Sequence, residues 1–414
     1  MSKKEKKEKK AKKLDGWGAD VHLDIPEDEI WTYQIPGLAA PHINKPYKYY
    51  NLKKAIFVIA IVVSVSLSIM FSIMALQNET FEYTQLENSY ELTKFSNTGY
   101  LYELEIDYVS EIKYIPGNND PTTNFTVEKD KTKPITTVRQ FALNCDDKIK
   151  TIYIGPDVLQ IDGKAFYSCW ALENIEVDEN NPNYCDVDGV LYNKDKTEIL
   201  CYPCNHDEYL RQKYGYEKEL FRADVTPEYE RDIQTYVVPS SVKTIGEMCF
   251  NYANLRVIYF PEGLETIETL AVFKLHERQD EWGNAPSLSN VFTYKASDVT
   301  DPHFTSIDAL GEVYLSLPEG LKFIGSDAFS YNQNLEYVYI PSSVTSIGHH
   351  AFWDTCYKED GNLKGVVEMN VAVDEATFNN NTVGDDWLPK YDYLLFKKAV
   401  EVKYSATRQA MPTE

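Results

Sequence analysis

Five stretches of the chain open on the same alternation of apolar and polar positions. Ile152 and Ile154, Tyr236 and Val238, Ile258 and Phe260, Leu315 and Leu317, and Val338 and Ile340 each stand two residues apart, the period of a half-buried β-strand. Each is followed by a recurring phrase. An apolar residue stands three before a central Ile (Val158/Ile161, Val242/Ile245, Leu264/Ile267, Leu321/Ile324, Val344/Ile347), and a Phe follows five later in four copies and six in the third: Phe166, Phe250, Phe273, Phe329 and Phe352. Pro239, Pro261, Pro318 and Pro341 close the strands, with Pro156 displaced by one; proline stops a ladder by removing its donor. Gly246, Gly325 and Gly348 follow the central Ile in three copies, where a tight turn would crowd a Cβ. The second and third copies are 22 residues apart and the last two 23, a solenoid-scale period. The pattern predicts a β-rich right-handed solenoid with short helical turns, whose coils bury their apolar edges only by stacking on one another.

Residues 55–76 break this pattern with 22 apolar or small residues and no charge. As a helix they rise about 33 Å, enough to span a bilayer core of about 30 Å, and a soluble helix of that length would show a polar face. Lys45, Lys48, Lys53 and Lys54 precede the block, and Lys94 is the one basic residue in the twenty that follow. The positive-inside rule therefore predicts a single-pass membrane protein with its N-terminus in the cytoplasm and residues 77–414 outside the cell. The block lies too far from the start and is too long for a cleaved signal peptide. Residues 1–54 read as a lysine-rich cytoplasmic tail and proline-bearing linker, 77–133 as a juxtamembrane segment and capping region, and 134–370 as the leucine-rich-repeat-like solenoid with insertions at 205–233 and 276–311. Residues 371–414 are expected to cap its end, through the runs Tyr393–Phe396 and Ala399–Val402.

Charge follows the same division. The first 54 residues carry +4 and the remaining 360 carry −27, which excludes nucleic acid as the expected partner, since an acidic surface repels phosphate. Seven cysteines all lie beyond residue 77, an odd number that argues against a complete disulfide framework. Cys201-x-x-Cys204 with His206 is half a metal site without its second half, and Cys169 and Cys356 stand where small buried residues belong. Ser240-x-x-Lys243 matches an acylating-enzyme motif, but the repeat template accounts for it. His349-His350 reads as a solvated pair on a turn. No phosphate loop, zinc-protease or nucleophile-elbow motif occurs; no catalytic residue, metal ligand or cofactor is expected.

The phrase V/I-x-I-P-x-x-V-x-x-I-G-x-x-A-F-x-x-C/N-x-x-L resembles the BspA-like leucine-rich repeats of bacterial surface proteins, over about residues 134–370. Residues 181–203, with Val190-Leu191-Tyr192 and Ile199-Leu200-Cys201-Tyr202 around an Asn-Lys-Asp-Lys turn, resemble the hairpin such proteins carry between repeats. The resemblance implies cell-surface display, with protein or glycan binding and adhesion; a structural envelope scaffold is the alternative, and an enzyme hidden in the insertions the weakest. The family's cell-wall sorting signal is not seen in the ending SATRQAMPTE, so attachment is expected at the N-terminal helix. Among outward strand positions, Tyr153, Tyr259 and Tyr339 are expected to share one exposed register and Tyr314 and Tyr337 another. Tyrosine suits stacking on a sugar or burial in a protein interface, although a purely structural ladder is the weightier reading.

Overall fold

The computed structural model describes residues 80–96, 101–115, 118, 125–143, 148–167, 169–215, 233–255, 257–273, 290–294, 314–332, 337–353, 355, 357–359, 362–364, 368–388 and 400–408. The chain divides into two units, Met1–Ser72 and Ile73–Glu414, and all described residues belong to the second. The expected membrane span, residues 55–76, lies outside the described residues, among which no helix is long and apolar enough to cross a membrane.

The alternating stretches form one side of the solenoid. Thr235–Val237, Val257–Pro261, Asn290–Tyr294, Tyr314–Ser316, Tyr337–Ile340, Glu368–Val371 and Glu401–Tyr404 make a seven-stranded parallel sheet, with Tyr236 opposite Ile258 and Leu315 opposite Val338, as the alternation requires. Residues at the central Ile form a second side. The two-residue strands Thr244–Ile245, Thr266–Ile267, Phe323–Ile324, Ser346–Ile347 and Thr382–Val383 stack in parallel, and the hairpin Val190–Asn193/Glu198–Cys201 with Tyr184–Val187 completes eight strands. The third side is built from consecutive hydrogen-bonded turns in place of short helices. Cys249 N donates to Gly246 O (3.2 Å) within a turn, while Phe250 N reaches Ala271 O (2.8 Å) and Phe329 N reaches Ala351 O (2.8 Å) between coils.

Two features of the turns follow from coil spacing. A Cβ on Gly325 would come within 2.4 Å of Thr269 N, and one on Gly348 within 2.3 Å of Ser326 N. These glycines are required by the approach of one coil to the next. Left-handed backbone falls instead two residues further on, at Met248 (φ 58°), Asp327 (φ 54°) and His350 (φ 53°). The copies also align differently from the simple phrase. Val272, not Phe273, fills the slot of Phe250 and Phe329: Val272 N donates to Ala328 O (2.8 Å), Val272 is fully buried and Phe273 is half-exposed.

The apolar core falls into two clusters that meet at the hairpin, where Leu191 and Cys201 pack toward the earlier residues and Val190, Tyr192 and Ile199 toward the later ones. Burial of each large apolar side chain contributes about 1.5–3 kcal/mol. Parallel stacking starts before residue 134: Glu103–Ile106 pairs in register with Thr151–Ile154, which pairs with Asn174–Val177. Thr80–Gln85, Tyr90–Ser96, Tyr108–Tyr114 and Phe125–Val138 form the adjoining sheet, joined by Gln160–Ile161. The expected insertion 276–311 contributes a regular strand, Asn290–Tyr294, between its neighbours in the long-strand sheet. In 205–233 a helix runs over His206–Tyr214 and ends on left-handed Gly215 (φ 70°). Glu401–Tyr404 pairs with Glu368–Val371 at the edge of that sheet; Ala399, Tyr393–Phe396 and Cys356 lie outside the described residues.

Candidate functional site

Of the tyrosines expected on an open strand face, Tyr259, Tyr337 and Tyr339 are buried and Tyr153 is partly buried. Tyr153 sits in the separate three-stranded sheet, between Glu105 and Glu176. Its hydroxyl donates to Asp178 Oδ2 (2.6 Å), and burial, then this bond, raises its pKa. Tyr259, Tyr314, Tyr337 and Tyr339 do share the seven-stranded sheet, with Tyr314 opposite Tyr337; the side chain of Tyr314 lies outside the described residues. Tyr259, Tyr337 and Tyr339 are only 1%, 8% and 4% exposed, which corrects the expectation of a solvent-facing register. At Tyr339 the cover is visible. The Arg408 guanidinium lies 5.1 Å from the ring centroid and donates to Leu317 O (2.5 Å), while the Tyr339 hydroxyl donates to Glu319 Oε1 (2.8 Å). Burial, then the Glu319 bond, pushes the Tyr339 pKa up to about 12. The segment after the last strand thus folds back over this ring.

The open aromatic surface lies on the turn side. Phe141, Tyr167, Tyr252, Phe273 and Tyr331 form a single file from coil to coil, with ring centroids 5.6, 6.5, 6.2 and 5.3 Å apart. Trp170 flanks the file, 5.2 Å from Tyr252. Phe141, Trp170 and Tyr331 are 43%, 48% and 38% exposed. Three of these rings sit on left-handed backbone, Phe141 (φ 58°), Tyr252 (φ 57°) and Tyr331 (φ 61°), a conformation that costs a non-glycine residue about 1–3 kcal/mol. Inter-coil bonds hold it: Phe141 N to Lys164 O (3.1 Å), Tyr252 N to Phe273 O (3.3 Å) and Tyr331 N to Trp353 O (2.8 Å). Lys164 and Glu247 pair beside the row at 2.7 Å. His350 is not a plain solvated residue, since it packs on Trp353 at 4.6 Å, whereas His349 is exposed.

The cysteine and histidine candidates are absorbed by the core. Cys169 Sγ donates to Leu143 O (2.7 Å) and Cys204 Sγ to Asn251 O (3.1 Å). Burial raises the thiol pKa of Cys201 and Cys249 well above the ordinary range. His206 Nδ1 donates to Glu173 O (2.9 Å), its ring packed edge-on to Tyr202 at 4.9 Å, and burial lowers its pKa to about 4. Lys243 of the Ser-x-x-Lys match points to Glu265 at 3.6 Å. These groups hold coils together.

A family model for the BspA type Leucine rich repeat region matches in six copies, over residues 94–187, 228–278 and 285–381. A comparison with curated proteins finds no match. Among solved structures, a leucine-rich repeat protein from Eubacterium ventriosum is 23% identical (TM-score 0.26), with the match covering 49% of this chain and 58% of that one. The pneumococcal vaccine antigen PcpA is 17% identical (TM-score 0.36), covering 73% and 61%. A leucine rich cell surface protein from Faecalibacterium prausnitzii is 13% identical (TM-score 0.27), covering 80% and 95%. The chain thus spans less than two thirds of the length of the first two.

Proposed function

The chain belongs to the BspA-type leucine-rich repeat family, and from that premise we propose that it is a cell-surface recognition and adhesion module, non-enzymatic, held to the membrane by residues 55–76. In this reading residues 1–54 stay in the cytoplasm, the solenoid faces outward, and its partner is an extracellular protein or glycan. The observation that carries it is the aromatic file on the turn side. Isolated exposed apolar residues are ordinary, but a contiguous row of rings, three of them on left-handed backbone, is not, and such surfaces serve binding. The charge of −27 beyond residue 54 disfavours nucleic acid and other polyanions. The test uses the full chain displayed by bacterial cells, with protease added outside. The solenoid should be cut while an N-terminal tag stays protected, and the cells should gain attachment to matrix-protein or glycan surfaces. Protection of the solenoid in intact cells, or attachment no different from cells lacking the chain, would replace this reading with an internal or purely structural one.

A further inference from the structure

Resting on that recognition reading, we propose that the aromatic file binds a linear, uncharged polysaccharide of equatorially linked pyranoses, laid along the solenoid axis. The shape of the surface comes first. A protein partner is held by a compact group of anchors inside a rim; here the rings stand one per coil in single file, which fits a thread. Orientation and spacing both bear on the choice. Successive ring planes along the file are turned by 85°, 61°, 86° and 69°, while Trp170 lies at only 31° to its neighbour Tyr252. A straight ligand laid along the file would meet ring faces and ring edges in turn, with Trp170 and Tyr252 the pair nearest to parallel. A β-1,4-linked pyranose chain is straight and extended, and it offers flat C–H faces for stacking on rings and hydroxyl edges for hydrogen bonding. The step between rings, 5.3–6.5 Å, is comparable to the advance of one such sugar.

The backbone supports the same assignment. Phe141, Tyr252 and Tyr331 are held in left-handed conformations by bonds from coil to coil, so the file is rigid before any ligand arrives and little ordering is lost on binding. Lys164 and Glu247 beside it, with Asp327 and His350 in the later turns, offer hydroxyl partners of both signs. The acidic charge of the chain selects against anionic polymers.

The test is native electrophoresis of the full-length chain in gels containing hydroxyethylcellulose, with dextran as the α-linked control and carboxymethylcellulose as the anionic one. Retardation by hydroxyethylcellulose is expected, at least tenfold weaker in dissociation constant for Trp170→Ala/Tyr331→Ala and retained by Tyr331→Phe, with neither control polymer retarding the chain. Unchanged mobility in hydroxyethylcellulose, or retardation indifferent to the double substitution, would overturn the proposal. Recognition itself would survive if such a chain still attached to matrix-protein surfaces or proline-rich peptides through the same rings; binding to neither would remove both.

Discussion

The solenoid carries two rows of aromatic side chains, and they differ in what surrounds them. On the long-strand sheet, Tyr259, Tyr337 and Tyr339 are buried, and the segment ending in Arg408 folds over the last of them. On the turn side, Phe141, Trp170 and Tyr331 stand open. Period-two alternation says which way a side chain points from its own sheet, and nothing about what later chain will lie across it. Outward and exposed are separate properties, and only the second makes a binding surface.

The largest way to break this contrast is to empty the buried row. Tyr259→Ala removes a fully enclosed ring and leaves a cavity, at a cost of about 3–5 kcal/mol, which should lower the denaturant midpoint sharply. Acid is the next lever, acting on the buried packing near the hairpin. His206 has a folded pKa pushed down to about 4 from its ordinary 6.5, so the unfolded chain takes up the proton first. Stability is complete above pH 6.5 and falls as pH drops toward 4, by up to ~1.4 kcal/mol per pH unit and about 3 kcal/mol in all. Urea midpoints measured at pH 7, 5 and 4 should show this slope, and His206→Gln should flatten it.

Close coil spacing holds both rows in line, and Gly348→Ala tests it. The added Cβ would meet Ser326 N at 2.3 Å, so coils must part, for an overpacking cost of about 1–3 kcal/mol. The position was legible in the sequence as a place where a Cβ crowds, though the reason is the neighbouring coil and not a turn of its own. The repeat and the strand register were equally legible, because inward residues such as Ile258, Leu315 and Val338 recur at fixed offsets. Asn290–Tyr294 was not, since no proline or Ile-Gly phrase follows it. The open file escaped for a related cause. Its members follow the apolar position of their coils by different intervals, three for Phe141, six for Tyr167 and Phe273, and seven for Tyr252 and Tyr331. No fixed period marks them; the turns bring them into line, with Phe141, Tyr252 and Tyr331 on left-handed backbone.

Arg408→Met separates cover from core. It removes the cation over Tyr339 and the bond to Leu317 O while keeping much of the side-chain bulk. A cation–π contact of this kind contributes about 0.5–1 kcal/mol, more where it is desolvated. The melting temperature should fall slightly, and Tyr339 should become accessible to iodination or nitration. If Tyr339 stays unreactive, the strand row is closed by more than this segment.

The smallest expected change in stability is the most discriminating. Trp170→Ala and Tyr331→Ala remove rings that are 48% and 38% exposed, and the ring contacts they make are individually weak. Each should shift unfolding by no more than about 0.5 kcal/mol, against several for Tyr259→Ala on the other row. Denaturant unfolding of the two variants beside Tyr259→Ala measures the contrast directly. A cost near that of the buried ring would mean that the turn-side file is a structural spine binding coil to coil. A negligible cost would mean that the chain holds these rings on its turn side, Tyr331 on left-handed backbone, for something other than its own stability.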